Sequence, residues 1–146
     1  MRELPRQLSA EELAELFEGR TRLVELLATR EDPLGTADEA IAELNEVEKL
    51  EALNAHPAIG QRKGLSKRSA AEQGSDVDPD VIAELLRLNA DYEDRHGFRF
   101  CVFVNRRPKT EILDVLRARI DNPTDAELET ALDELVAIAE DRWARA

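Results

Sequence analysis

The chain has two histidines in 146 residues. One of them, His56, heads the stretch "HPAIGQRKGLSKRSAAEQG" at 56–74. An imidazole titrates near neutrality, so His56 could pass a proton or bind a metal. It could equally be a polar residue at a helix end, where its cation would favour the dipole. Pro57 pushes the residue before it out of the α region, which suits an oriented side chain. Glu72 is the second candidate. "SKRSAAEQ" can form a short helix, on which Ser69, Glu72 and Gln73 fall at i, i+3 and i+4 and share a face. That face could place a proton acceptor beside hydrogen-bonding groups, or could simply be solvated. Arg62, Lys63, Lys67 and Arg68 make a local basic cluster, either a mixed-charge loop or an anion-attracting one. The other histidine, His96, precedes Gly97 and reads as a helix C-cap favoured by the dipole.

With no HxxxH or CxxC spacing, no metal site is expected. The lone cysteine, Cys101, lies in the apolar run "FRFCVFV" and reads as a small buried hydrophobe. It leaves no intramolecular disulfide to form, and a reducing cytoplasm is the default compartment. The formal net charge of −12, from 20 Lys and Arg against 32 Asp and Glu, argues against binding a nucleic-acid backbone. No apolar run is long enough to span a bilayer. "MRELPRQLSAEE" lacks a signal-peptide core, and "RWARA" carries no recognised address.

Helices must position these groups. Ser9 with Glu12 forms a capping box before Leu13, Leu16 and Phe17, and Gly19 is a stop. Leu23, Leu26 and Leu27 share the next face, and "EDPLG" breaks it. Thr36 with Glu39 reads as a second capping box, opening one long helix on which Ile41, Leu44, Val47, Leu50 and Leu53 recur at helical spacing. That helix ends near His56. Asp78 and Pro79 open another, and Gly97 stops it. "FRFCVFV" has the composition of a strand but no partner run, so an isolated extended segment packed against helices is expected. "RPKTEILDVLRARID" and a final helix capped by Thr124 and Glu127 complete the chain. Trp143 reads as core or core edge; Arg142 faces either the surface or a site. The expected fold is all-α: a single compact multi-helix domain over residues 1–146, with one extended segment near 98–104.

The order and spacing of these pieces resembles one family. "HP.IG" at His56–Gly60, "S..EQG" at Ser69–Gly74, "LLRLNADYEDRHGFRFCVFVNRR" at Leu85–Arg107, then "EIL..LRARIDN" and a last helix ending "IAEDRW" are similar to the OHCU decarboxylases. OHCU is 2-oxo-4-hydroxy-4-carboxy-5-ureidoimidazoline, an intermediate between urate and allantoin. The resemblance runs from about Leu44 to Trp143, and the combination is more specific than any one piece. It implies an all-helical, cofactor-free enzyme acting on a small anionic substrate, and a homodimer. The catalytic histidine falls on His56 and the catalytic glutamate on Glu72. Pro57, Ser69 and Gln73 match pocket positions. Phe100, Cys101, Val102 and Phe103 match a segment whose backbone amides contact substrate, and Arg142 matches a substrate-contacting arginine. The usual "HPDL" reads "HPAI" here and "GFPF" reads "GFRF"; neither change removes a proton-handling group.

The chemistry implied needs little from outside. The carboxylate of OHCU sits beside a C=N bond that can accept the electrons left when CO2 departs, so no metal, thiamine or pyridoxal sink is called for. The protein must position the anion and deliver one proton to one ring face. A rival reading is a helical binding module that kept the fold and lost catalysis. Another is hydrolysis of 5-hydroxyisourate, the preceding step, whose enzymes these motifs do not resemble.

Overall fold

The computed structural model describes residues 7–55, 79–105 and 107–145. Among them are seven helices and no strand. These are α1 (Ala10–Phe17), α2 (Arg22–Leu27), α3 (Ala37–Ala42), α4 (Glu46–Asn54), α5 (Pro79–His96), α6 (Lys109–Ile120) and α7 (Thr124–Ala144). The all-α expectation holds. Contacts group the chain into two compact units, Met1–His56 with Leu132–Ala146, and Pro57–Ala131.

In the first unit, α2 packs on α1, α3 and α4. Leu13, Leu16, Phe17, Leu23, Val24, Leu27 and Leu53 are buried, the apolar stripes that the helical period sets up. The Ser9–Glu12 capping box is formed in both directions. α1 stops at Glu18, which takes the left-handed conformation at φ 62°, and Gly19 follows at φ 153°. At that φ only a glycine is unstrained; a Cβ there would meet the Ala55 Cβ at 3.5 Å, an ordinary contact.

Two expectations are corrected here. The single long helix is broken into α3 and α4. The Asn45 side chain accepts from the Glu48 N–H at 2.8 Å and Glu48 Oε1 accepts from the Asn45 N–H at 2.9 Å, a new helix start inside the apolar period. Val47, placed on the apolar stripe, is 76% exposed as a result. Thr36 does precede α3, but without a side-chain cap. Its hydroxyl donates to the Asp32 carbonyl and accepts from Arg30 Nε, while Glu39 pairs with Arg30.

In the second unit, α5 packs on α6. Ile82, Leu85, Leu88, Tyr92, Ile112, Leu113 and Leu116 are buried. Gly97, at φ 81°, ends α5 with its N–H on the Glu93 carbonyl, the left-handed stop that glycine provides. The non-helical segment at 98–104 runs on from there, with Phe98, Phe100, Cys101, Val102 and Val104 buried. It is thus an isolated segment packed within a helical unit, as expected. α7 contributes its first turns to this unit and the remainder to the other.

Candidate functional site

Of the residues singled out in the sequence, His56, Pro57, Ser69, Glu72 and Gln73 lie outside the described residues, as does the cap Asp78. Phe100, Cys101, Val102, Phe103 and Arg142 are described, and the first four sit in the second unit.

What holds 98–104 is a buried polar cluster beneath it. Arg119, on the last turn of α6, donates from Nη1 to the Cys101 carbonyl at 2.8 Å and from Nε to Glu127 Oε1 at 2.9 Å. Its guanidinium carbon lies 4.7 Å from the centre of the Phe100 ring, a cation–π distance. Among the described residues, Nη2 of Arg119 is buried without a hydrogen-bond partner. Glu127 is 1% exposed and also accepts from the Tyr92 hydroxyl at 2.6 Å and from Asn122 Nδ2 at 2.9 Å. Burial alone would raise its pKa. The bonds from Tyr92 and Asn122 and the adjacent Arg119 charge outweigh that and hold it below its ordinary value. Burial, then the bond to Glu127, holds the Tyr92 phenol well above its usual range. Glu127 was expected to cap α7; its carboxylate instead joins this network, because Arg119 and Tyr92 come within reach of it.

Tyr92 also orders the aromatic side of the segment. Its ring meets Phe100 edge-on at 5.2 Å and Phe98 at 5.8 Å, geometries that add to simple burial. His96 lies 4.5 Å from Tyr92 and bonds through Nδ1 to the Thr124 hydroxyl and through Nε2 to the Ile120 carbonyl. A carbonyl can only accept, so Nε2 carries a proton. His96 therefore ties the end of α5 to the end of α6 and the start of α7 through its ring nitrogens, where the sequence suggests a charge on the dipole of α5. The Thr124 hydroxyl serves His96 in this way at the first position of α7. Cys101 is buried, as its apolar run implied.

A second arginine reaches the segment from its far end. Arg107 donates from Nη2 to the Phe103 carbonyl at 2.6 Å and from Nε to the Val104 carbonyl at 3.1 Å. Carbonyls of Cys101, Phe103 and Val104 are therefore all held by guanidinium groups. Among the described residues, nothing accepts a hydrogen bond from the backbone N–H of Val102 or Val104.

Arg142 sits in the first unit, 2% exposed. Its guanidinium donates to the Glu15 and Leu16 carbonyls at 3.3 and 3.1 Å and pairs with Glu18 at 3.0 Å. These are carbonyls that the end of α1 leaves without an intrahelical partner. Trp143 beside it is buried.

Sequence reasoning missed the arginine–carboxylate cluster. The signal was present: Arg119, Asn122 and Glu127 lie within nine residues of one another around the α6–α7 turn, and a buried charge needs such partners. Nothing local distinguishes Glu127 from the other acidic residues of α7. Among the described residues no group of three or more His, Cys, Asp or Glu could hold a metal, and no helix is long and apolar enough to cross a membrane.

The family model for OHCU decarboxylase matches residues 2–144. The chain belongs to the OHCU decarboxylase family. It is 34% identical over 110 residues to the 2-oxo-4-hydroxy-4-carboxy-5-ureidoimidazoline decarboxylase of Haloferax volcanii, covering 72% of this chain and 65% of that protein. It is 33% identical over 100 residues to the uric acid degradation bifunctional protein of Bacillus subtilis, covering 66% of this chain and 20% of that one. The matches thus span about two thirds or less of these relatives. A crystal structure of OHCU decarboxylase obtained in the presence of (S)-allantoin superposes with a TM-score of 0.76 at 25% identity, covering 92% of this chain and 96% of that one.

Proposed function

We propose that this protein is a carboxy-lyase that converts OHCU to (S)-allantoin in urate degradation. The observation that carries the reading is the family match across residues 2–144. The proposed chemistry is short. The C–C bond to the carboxylate breaks, CO2 leaves, and the electron pair passes into the adjacent C=N unit of the ring. One proton then reaches one face of the ring carbon that becomes the stereocentre, while the hydroxyl left on the neighbouring carbon becomes the ring carbonyl as its proton passes to the ring nitrogen. We assign proton handling to His56 and Glu72, and substrate contacts to Pro57, Ser69, Gln73, the backbone of 100–103 and Arg142. A positioned acid or base is worth about 10²–10⁴ in rate, and oriented N–H donors hold the substrate anion in place for it. The buried segment at 98–104, with its carbonyls held and the Val102 amide uncommitted, supports the role given to its backbone. The reaction supplies its own electron sink, so no cofactor is proposed. A homodimer in the cytoplasm is the assembly and compartment that fit the reading.

Freshly generated OHCU added to purified protein tests this. Circular dichroism of the product should show allantoin of one hand, formed faster than the spontaneous decay that yields a racemate. His56→Ala or Glu72→Ala should abolish the excess rate with the helical content unchanged. A racemate at the spontaneous rate from the wild type would overturn the reading and favour a binding module that kept the fold.

A further inference from the structure

We propose that Arg119 and Arg107 are positioning residues for the decarboxylation, aiming the backbone amides of Val102 and Val104 at the substrate by holding the carbonyls of the residues before them. This rests on the OHCU decarboxylase reading and adds to it the groups that set the amide directions.

The argument starts from the planar trans peptide, in which a C=O and the N–H of the next residue point in opposite directions. Arg119 Nη1 holds the Cys101 carbonyl at 2.8 Å, so the Val102 N–H points away from Arg119. Arg107 Nη2 holds the Phe103 carbonyl at 2.6 Å, so the Val104 N–H points away from Arg107. Neither amide meets an acceptor among the described residues. A buried donor is nearly always paired, and an anion would complete both.

Arg119 is held rigidly enough to act this way. Its Nε is fixed on Glu127, and Glu127 is fixed by Tyr92 and Asn122. The Phe100 ring covers the guanidinium. A buried ion pair is weak evidence for stability, since apolar residues of similar volume often serve as well. A guanidinium, however, can bridge a carboxylate and a carbonyl in one plane, which an ammonium cannot reproduce. The network is thus built to fix one peptide plane.

The test is Arg119→Lys and, separately, Arg107→Ala, each assayed for kcat and KM with fresh OHCU and examined without substrate by ¹H–¹⁵N correlation spectra. Amides that hold the anion in ground and transition states alike should act on KM more than on kcat. Each variant should raise KM about tenfold, with kcat lowered less, equivalent to about 1.4 kcal/mol. Arg119→Lys should move the Val102 amide signal and leave Val104 in place; Arg107→Ala should do the reverse. Leu23→Ala, a core truncation in the first unit, should lower stability and leave both signals and KM unchanged. Arg107 is only half-buried, so its variant tests the idea even if Arg119→Lys does not fold. Amide signals that stay in place, or that move with KM unchanged, would overturn the proposal. A wild type that makes no allantoin would instead remove the decarboxylase reading on which the substrate role depends, and is recognised before any variant is made.

Discussion

Glu127 stays ionised at 1% exposure because hydrogen bonds from Tyr92 and Asn122 and the Arg119 charge offset its desolvation. A carboxyl whose pKa is lowered on folding contributes stability that is present above its unfolded pKa. That stability is lost as pH falls through the lower, folded value. Glu127→Gln should therefore cost about 3–5 kcal/mol at neutral pH, since it leaves Arg119 buried without its counter-charge. The wild type should lose stability on acidification through and below the usual carboxylate range, and Glu127→Gln should show a flatter acid limb. Urea unfolding at neutral and acidic pH checks both; limbs of equal steepness would refute the assignment. His96→Ala should cost about 2 kcal/mol by stranding the Ile120 carbonyl and opening a gap beside Tyr92, with little effect on allantoin formation. A dead but folded His96→Ala would mean that the proton-handling histidine had been misassigned.

At the scale of elements, the α3–α4 break and the end of α5 depend on single residues. Asn45→Ala removes the cap of α4 and should cost about 1 kcal/mol, read as a lower urea midpoint with an unchanged slope. A neutral result would show that packing, not the cap, starts α4. Gly97→Ala should cost about 1–2 kcal/mol. The Cβ would meet nothing within 4 Å, so the whole effect would come from the backbone at φ 81°. Because 98–104 follows directly, the same variant should also disturb the Phe98 and Phe100 packing on Tyr92.

At the scale of the molecule, the net charge of −12 opposes loose association. A homodimer must therefore rest on a specific surface and not on general stickiness. Sedimentation equilibrium should give twice the 16.4 kDa chain mass across micromolar concentrations. A monomer throughout that range would end the dimer proposal. The family match runs from residue 2 to residue 144 and so takes in helices of both units.

The sequence by itself determined the helical class, most helix positions, the Ser9 cap, the glycine stops and the buried segment at 98–104. Each of these follows from local rules: apolar period, capping chemistry and the backbone freedom of glycine. Motif order was enough to identify the family, because "HP", "S..EQ" and "LN..Y...HGF.F" together are rarer than any one of them. The division of one long apolar period into α3 and α4 was legible in Asn45 and Glu48 but was hidden by Ile41, Leu44, Val47 and Leu50, which keep helical spacing through the break. Only the tertiary structure decided that Thr36 serves Arg30 and Asp32 instead of capping α3, that Glu127 is a buried partner of Arg119 and Tyr92, and that Arg142 meets the end of α1. These roles depend on residues from 4 to 127 positions away in the chain. Periodicity records which face of a helix is apolar; it does not record which distant carbonyl or carboxylate a buried cation will meet.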